Sequence, residues 1–206
     1  SFDIAPNKTR YKSLEKTWKY TFVIVYNKDK ANIMYGIRFF FDQLFIEYTM
    51  TQAQSLAKRC REVFLDGLWI ANTNYYEQLS RISWTQACHS VNGRNSIAAL
   101  TLHMHYYIAG LLRFFQTGVL DISDKFSFSG TLPQSEDSWM ALRQEFFHDA
   151  EYFVNSVSLF SDEQLQSMFF KEEYGTFQRN IEAMIEHAYY HLGQITLLAK
   201  MADSVD

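Results

Sequence analysis

The stretch TFQRNIEAMIEHAYYHLGQITLLAKM, residues 176–201, decides the fold, because its apolar side chains recur at the spacing of one face of an α-helix. That face is formed by Ile181, Ile185, Ala188, Leu192, Ile195 and Ala199. A periodic run of this length, with no proline inside it, predicts one long helix whose apolar side is buried against other helices.

Two upstream segments show the same periodicity. The first predicted helix covers residues 51–79 and bends at Gly67. The second covers residues 97–115, and either Asn95 or Ser96 supplies the side chain that caps its first turn.

A third upstream helix is predicted over residues 139–160, with Ser138 as its cap, and the spacing within residues 161–164 predicts a short helix after it. Residues 83–86 are interpreted as a connection, and residues 119–138, with their Ser, Asp, Gly and Pro, are typical of a long ordered loop. Such loops often carry function. Four long helices with almost no strand signal predict an all-α protein, an up-down four-helix bundle.

Residues 1–49 differ in charge from the rest of the chain. They hold 8 Lys and Arg against 5 Asp and Glu, whereas residues 50–206 hold 11 against 18. The β-branched and aromatic run at residues 21–26 has no second strand candidate, so a stable sheet is not expected there. We therefore predict an N-terminal extension of undefined structure over residues 1–49 and a four-helix domain over residues 50–206.

The composition excludes several classes of function. A net charge of -4 provides no basic field for nucleic acid. Charged residues interrupt the most apolar stretch, residues 31–50, so neither a membrane span nor a cleavable signal peptide is predicted. Cys60 and Cys88 fit neither a disulfide framework nor a paired zinc motif, which favours a reducing compartment. We expect a cytoplasmic protein whose partner is a small molecule.

The pair His187 and His191 is the strongest candidate for chemistry. Side chains four residues apart on a helix are neighbours, with about 5 to 6 Å between Cβ atoms. At that separation both imidazoles can reach one metal ion at about 2.0 to 2.1 Å. A helical wheel places the pair beside the apolar face of residues 181–199, so both rings point inwards. The pattern predicts two ligands of a divalent metal.

A third ligand has to come from another helix, and His103 and His105 are the candidates. Residues two apart on a helix face different directions, so at most one of the two joins the site. Both faces are mostly apolar, and periodicity does not choose between them. The histidine outside the site is expected to form an ordinary hydrogen bond on or between helices.

Two stretches together resemble the DinB-like (YfiT-like) metalloenzyme family. They are NSIAALTLHMHYY, residues 95–107, and IEHAYYHLGQ, residues 185–194. Members of that family carry a His about seven residues after a Ser or Thr on the second helix, and a His-x-x-x-His-x-Gly-Gln pattern on the fourth. Ser96 plus seven is His103, so the resemblance favours His103 over His105. It covers residues 50–206.

The resemblance implies a four-helix bundle, a frequent homodimer, and a divalent ion, zinc or nickel, on His103, His187 and His191. Gln194 and Tyr107 are expected to orient a ligand or a substrate. Family members with an assigned activity use a low-molecular-weight thiol as cosubstrate, so the expected activity is a thiol-dependent S-transferase or a related hydrolase. The alternative is a non-catalytic, stress-associated bundle in which the metal is structural or the protein serves an interaction.

Overall fold

A computed structural model describes residues 50–202 in full and the backbone of residues 11–14 and 22–25. The chain divides into two units, Ser1–Thr49 and Met50–Asp206, at the position where the charge pattern changes.

The described part of the first unit is a two-stranded antiparallel ribbon. Strand β1 is Tyr11–Leu14 and strand β2 is Phe22–Val25, with Tyr11 opposite Val25 and Leu14 opposite Phe22. The expectation that residues 21–26 have no pairing partner was wrong. The partner strand has only four residues, and two of them are Lys and Ser. So short and polar a run cannot be recognised as a strand from the sequence.

In the second unit, the described residues form an all-helical domain. Its seven α-helices are α1 Gln52–Phe64, α2 Tyr75–Ser80, α3 Trp84–Cys88, α4 Ile97–Thr117, α5 Glu136–Ser158, α6 Asp162–Gln166 and α7 Phe177–Ala202. Two 3-10 turns, Asp124–Phe126 and Glu172–Tyr174, lie in the connections. Among these described residues, no helix is both long enough and apolar enough to cross a membrane.

The first predicted helix is two helices. Helix α1 ends at Phe64, and the chain resumes a helix only after Asn74, whose side chain caps α2. Between them Ala71 and Asn72 have φ angles of 56° and 52°, which are left-handed and end any regular helix. Leu68 and Ile70, which continue the helical spacing here, do not face the core, since they are 56% and 47% exposed.

Two capping serines also differ from the prediction. Ser83 is the cap of a short helix, α3, rather than part of a connection, because its hydroxyl accepts from the Gln86 amide and the Gln86 side chain reciprocates. Helix α5 begins after Ser135, and Ser138 is the residue that reciprocates in that box. Ser135 and Ser138 both fit the pattern of a capping residue, so the sequence alone does not decide at which of them the helix begins. The predicted caps of α4 and α6, Ser96 and Ser161, are confirmed.

The four long helices form the core. Helix α1 packs against α5 and α7, and α4 packs against the same two helices. Helices α4 and α7 are antiparallel, because His103 faces His187 while Phe114, further along α4, stacks on Phe177 near the start of α7. Helices α4 and α5 run in the same direction, as the contacts of His105 with Asp149 and of Phe115 with Phe153 require.

The connection between α4 and α5, residues 118–135, explains this parallel pair; we call it the crossover loop. It runs back along α4 in contact with successive turns: Asp121 pairs with Arg113, Ser123 bonds Tyr106, and Phe128 stacks on His103. Helix α5 therefore starts at the same end as α4. The helices do not simply alternate in direction along the chain, as an up-down bundle would.

Gly110 lets the crossover loop approach α4. A Cβ at Gly110 would lie 2.5 Å from Ile122 Cγ1, which is closer than atoms of this kind approach. Ile122 is part of the crossover loop, so this glycine fixes the distance between loop and helix.

Replacing Gly110 with alanine is expected to lower the free energy of unfolding by about 1–3 kcal/mol, the usual effect of overpacking. The matched control is Gly193→Ala on α7, where an added Cβ meets nothing within 4 Å. There the helix preference of alanine should raise the free energy of unfolding by about 0.5–1 kcal/mol. Urea denaturation measures both changes, and equal stability of the two variants would contradict the tight contact at Gly110.

Candidate metal centre

Three histidines converge between α4 and α7. His103 projects from α4, and His187 and His191 project from successive turns of α7. One ring nitrogen from each lies within 4.8 Å of the corresponding nitrogens of the other two. His103 and His191 are buried and His187 is half-buried, so the cluster is enclosed on most sides.

The separation of two of these nitrogens suits a small divalent ion. Nε2 of His103 and Nε2 of His187 are 3.2 Å apart. Two ligands at 2.0 to 2.1 Å from a tetrahedral zinc ion are separated by about 3.3 to 3.4 Å. The two side chains therefore already stand at the separation that two ligands of one ion would have.

The orientation of two of the rings is fixed by a neighbour. His191 Nδ1–H donates to Gln194 Oε1 at 2.7 Å, which leaves the lone pair on its Nε2. The ring of His103 is stacked on Phe128, with 4.0 Å between centroids and 14° between planes. Nδ1 of His103 is buried without a hydrogen bond of regular geometry, although the backbone of Ser127 lies near enough to raise the pKa of the ring.

Burial keeps all three imidazoles neutral. Burial, followed by the neighbouring His191 and His187, lowers the pKa of His103 to about 4. Burial and then His191 lower the pKa of His187. Burial also lowers the pKa of His191, against the opposing effect of its hydrogen bond to Gln194. Neutral imidazole is the form that coordinates a metal, so near pH 7 the cluster offers three lone pairs.

Tyr107 and Asp124 lie on one side of the cluster, and Asp124 supplies a negative charge there. The ring of Tyr107 lies 5.0 Å from that of His103 and 5.1 Å from that of His187, centroid to centroid. Its hydroxyl donates to Asp124 Oδ1 at 2.5 Å. Burial, reinforced by this hydrogen bond, raises the pKa of Tyr107 to about 12, so the phenol stays protonated. The negative charge of Asp124 also acts on His103 and His187, whose pKa values it raises slightly against the effect of burial.

His105 lies outside the cluster. Its Nε2 is 2.9 Å from Asp149 Oδ2 on α5, so it joins two helices as an ordinary hydrogen-bonding histidine. The group of three ring nitrogens within the described residues contains His103 and not His105. Of the two candidates that periodicity left open, the structure brings only His103 to the pair on α7.

The sequence did not single out Asp124 or Phe128 as individual residues of the site. Both lie on the crossover loop, which the sequence marks as ordered but which has no periodicity to indicate where a side chain points. Residues 121–125 hold two aspartates and a lysine, and nothing in that pattern separates Asp124 from Asp121.

Burial raises the pKa of both cysteine thiols of the chain. Cys60 is fully buried, and burial raises its pKa to about 12. Cys88 is half-buried, its thiol donates to the carbonyl of Pro133 at 3.5 Å, and burial raises its pKa. Both cysteines therefore remain protonated at neutral pH.

A cavity of about 980 Å³ adjoins the cluster. His103, His187, Tyr107 and Asp124 contribute to its wall, together with residues of the crossover loop and of the segment before α7. Comparisons with models of protein families, with curated proteins and with solved structures gave no match. The geometry of this cluster and its cavity is therefore the feature that indicates a function.

Metal-free protein is expected to lose stability as the solution becomes acidic. The unfolded chain binds protons at the ordinary histidine pKa of about 6.5, whereas folded His103 binds one only near pH 4. Between these values the unfolded state holds more protons, so the free energy of unfolding falls as the pH is lowered from about 6.5 to about 4.

Urea denaturation in a chelator at a series of pH values measures this slope. His103→Gln should flatten it, because that variant has one titrating group fewer. His148→Gln, which removes an exposed histidine outside the cluster, is the matched control for the loss of one imidazole. A slope that is the same in all three proteins would contradict a depressed pKa at His103.

Proposed function

We propose that this chain is a DinB-like protein that binds one divalent metal ion through His103, His187 and His191. The observation that carries the proposal is the cluster of three neutral ring nitrogens, all within 4.8 Å of one another. Imidazole donors suit zinc, nickel, copper and iron, and zinc or nickel is our choice from the family resemblance.

The donor set is that of an open site. Structural zinc sites usually have four protein ligands, whereas catalytic sites have three and leave a position for water or substrate. The cluster has three members within the described part of the chain, and a cavity of about 980 Å³ adjoins it. These two features favour a catalytic over a structural ion.

The activity that we propose is a thiol-dependent S-transfer or a related hydrolysis. When bound, an ion held by three imidazoles lowers the pKa of a thiol or water in its open position. In the transfer, the thiol sulfur bonds to an electrophilic carbon of the acceptor, and the leaving group departs with the bonding electron pair. Asp124, the carboxylate nearest to His103 and His187 in the cavity wall, accepts the thiol proton directly or through Tyr107.

The family resemblance also implies a homodimer, and the surface of α7 supports it. Tyr190, Leu197 and Met201 are exposed large apolar residues. Their spacing places them on one face of the helix. Tyr190 also contacts the histidine cluster from outside, with 4.9 Å between the centroids of its ring and the His191 ring. A second copy of the chain is the partner that we propose for this face.

Replacing His187 or His191 with alanine is expected to abolish stoichiometric metal binding. Loss of a residue that only orients a ligand weakens metal affinity by roughly 10- to 100-fold, and loss of a ligand itself should weaken it more. Elemental analysis of protein purified without a histidine tag measures the metal content. His105→Ala and His148→Ala are the matched controls, since both remove a histidine outside the cluster.

The same preparations, tested with a panel of low-molecular-weight thiols and electrophiles, separate the two roles of the ion. Metal-dependent consumption of thiol supports the transferase. Undiminished metal content in both α7 variants would end the assignment of the ligands. Chelation that lowers the melting temperature strongly, with no thiol consumption by the loaded protein, would make the ion structural.

Gln194→Leu should weaken metal affinity by about 10- to 100-fold, the usual effect of losing the partner that orients a histidine ligand. The glutamine carbonyl oxygen accepts the Nδ1–H of His191 and so keeps the proton away from Nε2. Gln178→Leu on the same helix is the control, because its side chain bonds Gln166 and Glu182 instead. Competition with a chromogenic chelator measures both affinities, and equal values would show that Gln194 does not orient the ligand.

A further inference from the structure

The cavity beside the histidines is an elongated slot between two antiparallel helix faces. Along α4 its wall consists of His103, Tyr107 and Leu111, which are spaced at four-residue intervals. Along α7 the opposite wall runs from His187 back to Asn180. Eight residues of helix rise by about 12 Å, so the slot extends about that far from the histidines.

The end of the slot remote from the histidines is apolar. Leu111 supplies its α4 wall, and Leu120, at the start of the crossover loop, lines the same cavity. Met184, one turn from His187, lines the middle of the α7 wall. Phe169 closes the remote end, packed at 4.5 Å from Phe114 by ring centroids. An apolar surface of this kind binds hydrocarbon chains, and each CH₂ group that moves from water to such a surface contributes about 0.8 kcal/mol to the binding free energy.

The charges of the slot are confined to its other end. Asp124 and Lys125 are the only Asp, Glu, Lys or Arg in the described wall, and both belong to the 3-10 turn that holds Tyr107. At the remote rim Asn180 is polar but uncharged, and its amide hydrogens are bound by the carbonyls of Tyr174 and Thr176. A charged group on a ligand would find no counter-charge at that end.

We infer that the acceptor substrate is a small molecule with an elongated, uncharged apolar group that lies in the slot against Leu111 and Phe169. Its reactive carbon then lies at the histidine end, beside Tyr107 and Asp124. The position of the reacting carbon rests on the proposed function. The recognition of an apolar chain rests only on the walls of the slot.

The length of the slot sets a measurable limit. Straight-chain primary alcohols from butanol to dodecanol are suitable probes, because they are uncharged and differ by single methylenes. Their affinity for the protein should rise about fourfold with each CH₂, the equivalent of 0.8 kcal/mol. The rise should stop once the chain fills the slot of about 12 Å. Titration calorimetry on chelator-treated and on zinc-loaded protein measures this series.

Two variants test the walls of the slot. Leu111→Asn makes the remote end polar without changing its size, and Ala183→Phe fills the slot beside Met184 from a half-buried position that tolerates a larger side chain. Each should weaken octanol binding about tenfold or more, the effect of about two lost methylenes. Leu197→Asn, at an exposed leucine of α7 outside the slot, is the control and should bind octanol normally.

The outcomes separate this inference from the proposed function. Affinity that does not depend on chain length, or that is unchanged in folded Ala183→Phe, overturns the apolar slot even when zinc is bound. Chain-length dependence in a protein that binds no zinc leaves the slot intact and overturns the metal site. Circular dichroism shows whether each variant has folded. If Leu111→Asn has not folded, the result for Ala183→Phe decides.

Discussion

Where α4 meets α7, the imidazoles of His103 and His187 are brought together by contacts elsewhere along the two helices. Two neutral rings whose Nε2 atoms are 3.2 Å apart do not hold a helix pair together by themselves. That alignment comes from aromatic packing at the other end, where Phe114 stacks on Phe177 with 5.9 Å between centroids. The antiparallel alignment sets both the nitrogen cluster and the slot that leads away from it.

The crossover loop depends on the same helix. By retracing α4 it brings Asp124 to Tyr107 and Phe128 to His103, and it also forms one side of the slot. Gly110 permits the close approach on which these contacts depend. One connection thus covers the cluster, supplies its carboxylate and determines the direction in which α5 returns.

The sequence predicts the parts of this protein that repeat along a helix. Apolar periodicity was sufficient for α4 and α7, which bury continuous faces, and four-residue spacing was sufficient to place two histidines side by side. It failed over residues 65–74, where apolar side chains keep the helical spacing but face solvent. Helix spacing could not separate His103 from His105, because both faces of α4 are apolar. Asp124 could not be placed at all, since its position follows from the path of a loop and not from a local rule.

The burial of Cys60 and Cys88 has a consequence for any chemistry that involves sulfur. A protein that handles electrophiles is itself a target for alkylation, and accessible thiolates are the first groups to be consumed. Here burial raises the pKa of Cys60 to about 12 and also raises that of Cys88, so neither presents a thiolate to an incoming electrophile. The fold therefore protects itself from its proposed substrates, and any reacting sulfur has to arrive from solution as a separate molecule.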